Sequence, residues 1–240
     1  EGAALSYADY MSESLDKFIS YNMINKQAVT WVGQYAAQEI KYLTAAQNDT
    51  IRAIKLTAMR EGMTIAEQSK LIKQQIGLLP NHVVAVQNYK DQLKAAGMDA
   101  ASIEKKAAKY TDKLLKYRAD TIGLTESENA MGAAKKITNN ELVTRGIISK
   151  ADYMQQWVTA PDERRCPQCG ALHGQQSEIG EAFPGGLDQT PAHQRCRCVI
   201  VLVSKKFAPK GPEYSIPSPD DAKDYTGLAI GNEPDPLGDR

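Results

Sequence analysis

The chain has 240 residues, with 29 basic residues against 29 acidic ones. That length holds one large domain or two small ones and can bury a core without covalent staples. The balanced charge excludes a globally basic nucleic-acid coat and leaves only local basic patches. No apolar run approaches the ~18 residues of a membrane-spanning helix, so no membrane partner is expected.

Residues 1–160 contain one proline, Pro80, and are rich in Ala, Lys, Gln, Glu and Leu. These are good helix formers, and the composition predicts a helical body over 1–160. Thr64-Ile65-Ala66-Glu67 reads as a capping box. Pro80 suits the first turn of a helix and Gly97 its end. Ile103, Ala107, Tyr110, Leu114, Tyr117, Thr121 and Leu124 recur at alternating spacings of four and three, the apolar stripe of one helix packed into a bundle. Lys105, Lys106, Lys109, Lys113 and Lys116 fall on the rest of that helix. They read first as a solvated face and second as a nucleic-acid contact, since no aromatic ladder accompanies them. Ser149-Lys150-Ala151-Asp152 is a weaker helix-start signal.

The composition changes near Pro161. All four cysteines of the chain lie in Cys166-Pro167-Gln168-Cys169 and in His193-Gln194-Arg195-Cys196-Arg197-Cys198. The two knuckles offer five soft donors, Cys166, Cys169, His193, Cys196 and Cys198. Any four can surround one Zn²⁺, which prefers a tetrahedral N/S set. More donors than positions favours a closed, structural site over a catalytic one that keeps a place for water. Whether His193 or a further cysteine completes the set stays open. So does the rival reading of disulfides or free thiols, although Cys-x2-Cys makes a poor local disulfide and no secretory h-region is visible. His173 is a weaker ligand candidate. The surrounding residues 161–198 read as loop, with punctuation such as Phe183-Pro184-Gly185-Gly186. Val199-Ile200-Val201-Leu202-Val203 reads as a buried strand leaving the site, so 161–206 is expected to be a small zinc-binding module.

Residues 207–240 hold six of the eleven prolines and seven acidic residues against three basic ones. Such a tail cannot bury enough apolar surface to fold alone, and we expect it to be extended. Because the chain opens on Glu1 rather than Met, we expect a product that is trimmed, processed or part of a longer one. Enzymatic signatures are missing. No histidine is followed by the Glu of a deaminase, and there is no His-Glu-x-x-His, phosphate loop or Gly-x-Ser-x-Gly. A metal-dependent hydrolase or nuclease using His173 with Asp162 or Glu163 is the remaining catalytic alternative. No catalytic or organic-cofactor residues are assigned.

Several of these motifs, in order, resemble one family. Asp162-Glu163-Arg164-Arg165-Cys166-Pro167-Gln168-Cys169-Gly170-Ala171-Leu172-His173-Gly174, followed by Pro191-Ala192-His193-Gln194-Arg195-Cys196-Arg197-Cys198, is similar to the signature of the Mu F-like phage minor head (head morphogenesis) proteins. That signature runs Asp-Glu-Arg, Cys-x2-Cys, Leu-Asp-Gly, then His-Pro-Asn-Cys-Arg-Cys before a short apolar strand. Upstream, Arg118-Ala119-Asp120-Thr121-Ile122-Gly123-Leu124-Thr125-Glu126 resembles the family's Arg-x-x-Thr-Ile-Ala-x-Thr-Glu helix. Ile76-Gly77-Leu78 and Ala85-Val86-Gln87-Asn88-Tyr89 extend the likeness, which covers roughly residues 50–205. The chain departs from the pattern at His173 (Asp in the family), Gln194-Arg195 (Pro-Asn) and Gly123 (Ala). None of these removes a soft donor.

The resemblance implies a non-enzymatic capsid component of a tailed bacteriophage, located in the virion head after assembly in the host cytoplasm. It also implies association with the portal protein and other head proteins, and a role in DNA packaging or ejection, with packaged DNA as a further partner. Direct action on DNA through the lysine face and Arg164, Arg165, Arg195 and Arg197 is the rival reading. Arg118 and Glu126 are expected either to form a buried ion pair, given a bend at Gly123 or a partner helix, or to lie solvated at the surface.

Overall fold

The computed structural model describes residues 26–37, 40–159 and 165–206. The expected tail, Pro161, Asp162, Glu163 and Arg164 lie outside the described residues. The architecture is mainly helical with a small sheet. Among the described residues, five helices come first: α1 (Lys26–Tyr35), α2 (Ala45–Glu61), α3 (Ile65–Lys73), α4 (Pro80–Ala95) and α5 (Ala100–Thr144). Strand β1 (Tyr153–Val158), helix α6 (Pro167–Leu172), β2 (Gln176–Ser177) and β3 (Val199–Ser204) follow.

The helix boundaries follow local chemistry. Thr44 and Thr64 each cap a helix through reciprocal capping boxes, with Gln47 and Glu67 as the returning side chains. Pro80 occupies the first turn of α4. Gly97 follows that helix in the left-handed region at φ 77°, where a glycine carries no Cβ penalty. Asp99 caps α5, its carboxylate accepting from the Ser102 amide at 3.0 Å.

Helix α5 is the spine. Its 45 residues span about 68 Å at 1.5 Å each. Helices α1, α3 and α4 lie along it, and α2 lies against α1 and α3. The predicted stripe faces inward: Ala107, Tyr110, Leu114 and Thr121 are buried, with Ile103, Tyr117 and Leu124 half-buried. Tyr110 and Leu114 meet Tyr89 and Leu93 of α4, the two tyrosine rings edge-on at 5.2 Å. Ala119 and Ile122 meet Ile51, Ile72 and Ile76.

Polar pivots join the same helices. Gly123 lies where α3 crosses α5, and a Cβ there would sit 2.8 Å from the Ser69 hydroxyl. The carbonyl of Gly123 accepts from the buried Lys55 ammonium of α2 at 2.6 Å. Lys55 also donates to Gln68 Oε1 at 2.7 Å and to Ser127 Oγ at 2.9 Å, so its three protons are all used. Burial nevertheless lowers its pKa to about 8, against the attraction of Glu126.

Both expectations for Arg118 and Glu126 are corrected. The two are buried but do not pair with each other. Arg118 donates to the carbonyls of Gly77 (2.5 Å) and Lys41 (2.9 Å), and Glu126 accepts the Ala37 amide (2.8 Å). Each satisfies the backbone of a neighbouring segment, which removes the need for a direct pair.

Ser149–Asp152 starts no helix. The amides of Asp152 and Tyr153 donate to the Ser149 carbonyl, closing a turn that feeds β1. β1 is the central strand of an antiparallel sheet ordered β2-β1-β3, with Trp157 opposite Ile200 and Gln155 opposite Leu202 and Ser177. The expected strand at 199–203 is present as β3. It alternates instead of being buried throughout, with Ile200 and Leu202 inside. Leu202 packs with Ile179, Ile148 and Leu142, which brings the sheet to the C-terminal end of α5.

Candidate metal centre

The cluster is assembled by two pieces of backbone that meet below β1. The first is α6, which replaces part of the expected loop. Cys166 is its N-cap: the sulfur accepts from the Cys169 amide at 3.3 Å, and Pro167 fixes the first turn. One turn therefore places both sulfurs on the same side. The second piece runs from His193 into β3. Cys196, Cys198 and Ile200 are buried while Arg197 is exposed, so the strand period turns both thiols inward. Trp157, Leu172, Phe183 and Ile200 pack around the cysteines, with the Trp157 and Phe183 rings edge-on at 5.3 Å.

All five donors converge. The ligand atoms of Cys166, Cys169 and His193 lie within 4.8 Å of one another, and so do those of Cys169, Cys196 and Cys198. Cys169 belongs to both groups. Its sulfur is 3.0 Å from His193 Nε2 and 3.7 Å from the Cys196 sulfur, and Cys166 Sγ is 3.1 Å from the same Nε2. No disulfide joins any of the four cysteines. His193 Nδ1 lies 2.7 Å from the Gln194 carbonyl. An N–H there donates to that oxygen, so Nε2 is the ring nitrogen that faces the sulfurs and the one that would bind a metal on losing its proton.

The charge states bear the mark of crowding. The bond from Cys169 holds Cys166 down to about 4, with burial opposing and His193 assisting. Bonds from Cys169 and Cys198 likewise lower Cys196. Cys169 is pushed up, first by its bond to Cys166. The bond to Cys166 raises His193 to about 9 against burial. Cys166 and Cys196 are thus the sulfurs most readily deprotonated, and the positive partner beside them is His193 or, in its place, a bound cation. Each donor group can hold a metal ion.

The module is seated on α5 by the arm between residues 188 and 195. Thr190 lies over Gly132, where a Cβ would meet the Thr190 carbonyl oxygen at 1.9 Å. Asp188 pairs with Lys136. Arg195 donates from its amide to Thr125 Oγ1 and from Nη1 to Thr121 Oγ1, both at 3.1 Å, and its guanidinium lies 5.1 Å from the Tyr117 ring centroid. Arg195 is therefore spent inside the molecule, which corrects its assignment as a nucleic-acid contact. Its φ of 55° is left-handed. At this position the family pattern carries Asn, the residue after glycine most at ease there.

His173 does not join the cluster. It ends α6, and its Nδ1 accepts the Thr159 amide at 3.2 Å. A nuclease built on His173 thus lacks a free base at that atom. Its proposed partners Asp162 and Glu163 lie outside the described residues. Sequence reasoning missed the seat on α5, although an interior helical glycine at 132 and a threonine in the apolar stripe at 121 are the two local signals that mark it.

Fold and cluster together define the class: a mainly helical protein with a Cys/His knuckle, capable of holding a metal ion, docked on its longest helix. Residues 49–201 match the family described as Phage Mu protein F like protein, and the chain belongs to that family of structural phage head-morphogenesis proteins. No curated protein and no solved structure matches the chain. No helix among the described residues is long and apolar enough to cross a membrane.

Proposed function

We propose that this protein is a non-enzymatic minor head protein of a tailed phage that acts as a rigid adaptor at the portal vertex, in the virion interior. It would reach that place during assembly in the host cytoplasm and serve DNA packaging or ejection. The observation that carries the reading is the convergence of all five soft donors on the family-matched span, seated on a helix of about 68 Å. A long rigid helix with a locally clipped module can transmit position between neighbours and needs no reactive group. In this reading 1–160 is the helical body, which lends β1 to the sheet, 161–206 is the metal module, and 207–240 is an extended tail laid on a partner.

The ion best suited to the cluster is Zn²⁺, held by four of Cys166, Cys169, His193, Cys196 and Cys198. Zinc–sulfur bonds of ~2.3 Å at tetrahedral angles put two sulfurs ~3.8 Å apart, and Cys169 and Cys196 are 3.7 Å apart. Zinc would supply binding energy that becomes folding energy of the module. Metal analysis of the purified chain should find one zinc per molecule, and cobalt substitution should give a thiolate charge-transfer band. The adaptor role is tested by stoichiometric co-purification with the portal protein from assembled heads. Absence from particles would end it.

A second reading, direct contact with packaged DNA, has one observation in its favour. Lys105, Lys106, Lys109, Lys113 and Lys116 are all exposed and, at 100° per residue, share an arc of about 100°. Two acids of the same helix pair with lysines of other helices, Asp112 with Lys73 at 2.5 Å and Glu104 with Lys90 at 2.9 Å. A steep fall in DNA affinity with salt, lessened by Lys109→Ala with Lys116→Ala, is the expected outcome. A flat salt dependence removes this reading.

A further inference from the structure

The candidate donors and the contacts that seat the module on α5 share one short arm of chain. Arg195 stands between His193 and Cys196, two of the five donors. It is also the residue whose amide and guanidinium hold Thr125 and Thr121 and whose charge lies over Tyr117. It does all this from a left-handed backbone that an arginine adopts only when its surroundings impose it. The rest of the seat, Thr190 on Gly132 and Asp188 on Lys136, belongs to the same arm.

From this juxtaposition we propose that metal occupancy is the latch that docks the 188–195 arm on α5, so that binding the ion and closing the module against the helical body are one coupled event. This inference rests on the reading that the cluster holds zinc. With His193 and Cys196 drawn to one ion, the chain on either side of Arg195 is fixed and the left-handed turn is maintained. Without the ion the arm relaxes, Arg195 returns to negative φ, and the face formed by Tyr117, Thr121 and Thr125 opens. Coupling is reciprocal, so loosening the α5 side must weaken the metal.

The test uses the full chain loaded with Co²⁺ or Zn²⁺ and then stripped with a chelator. Amide exchange at Arg195 and hydroxyl-radical footprinting at Tyr117 report the latch. The cobalt band reports the site. Stripping should speed Arg195 exchange by about tenfold or more and expose Tyr117, within the usual range of coupled sites. Thr121→Ala with Thr125→Ala, on the helix and away from the donors, should keep the cobalt band and weaken metal affinity by about five- to tenfold. Arg195→Ala should expose Tyr117 in the loaded protein. Unchanged Tyr117 protection after stripping, or unchanged metal affinity in the double variant, overturns the latch while leaving the zinc reading intact. A chain that never shows the cobalt band overturns both.

Discussion

In the helical body, apolar clusters are spread along a 45-residue helix, and the buried charges Lys55, Arg118 and Glu126 are met by backbone groups and neutral side chains. In the module, seven buried residues form one cluster, and three of them are cysteines. The body is stabilised by packing and capping that need nothing from outside the chain. The module, with a three-stranded sheet whose β2 is two residues long, has little apolar surface and places thiols where a larger domain would place leucine. A small core of that kind relies on what its cysteines hold.

Substitution at Cys169, the donor common to both groups, separates the two regions most sharply. Cys169→Ser should accelerate hydrogen exchange across 165–206 by ~100-fold or more, on the scale of metal-dependent folding, and leave α2 through α4 unchanged. Equal loss throughout would mean that body and module are one cooperative unit.

Gly132→Ala comes next, because the new methyl would meet a backbone oxygen that cannot rotate away. We expect about 3 kcal/mol of destabilisation, read by urea unfolding, with the module released from α5. A loss below 1 kcal/mol would show that the arm is free to move aside.

The body has its own signature in pH. Lys55 titrates near 8 when folded, below its ordinary 10.5, so the unfolded chain binds more protons between those values. The penalty for burying the charge is fully present below pH 8 and fades as pH rises toward 10.5. Stability should therefore rise over that interval by up to ~3 kcal/mol relative to Lys55→Met, which removes the titrating group. Parallel pH curves for the two proteins would contradict the burial account.

Gly123→Ala should be the mildest, about 1 kcal/mol by thermal unfolding, since the methyl's one tight contact is the Ser69 hydroxyl at 2.8 Å, the end of a side chain able to turn, while Ile65 lies at ordinary contact distance. A cost equal to that of Gly132→Ala would mean that the α3–α5 crossing is as rigid as the seat of the module.

By itself the sequence determined what depends on neighbours along the chain. The capping box at Thr64, Pro80 and Gly97 around α4, the inward stripe from Ile103 to Leu124, β3, and the gathering of donors at Cys166–Cys169 and His193–Cys198 are all local patterns of spacing or residue type. Only the tertiary structure decided what joins distant segments. β1 lacks a strand signal because Gln155 and Gln156 interrupt its apolar run, and it forms because β3 supplies its ladder partner. Arg118 and Glu126 were expected to pair across a bend or another helix, or to be solvated, yet each met a backbone group from another segment. Arg195 looked like a surface charge, and became the inward pin of the module because Thr121, Thr125 and Tyr117, some 70 residues earlier, were brought beneath it. Periodicity and capping are written within a few residues; a contact across 70 residues has no local code and exists only once the chain has folded.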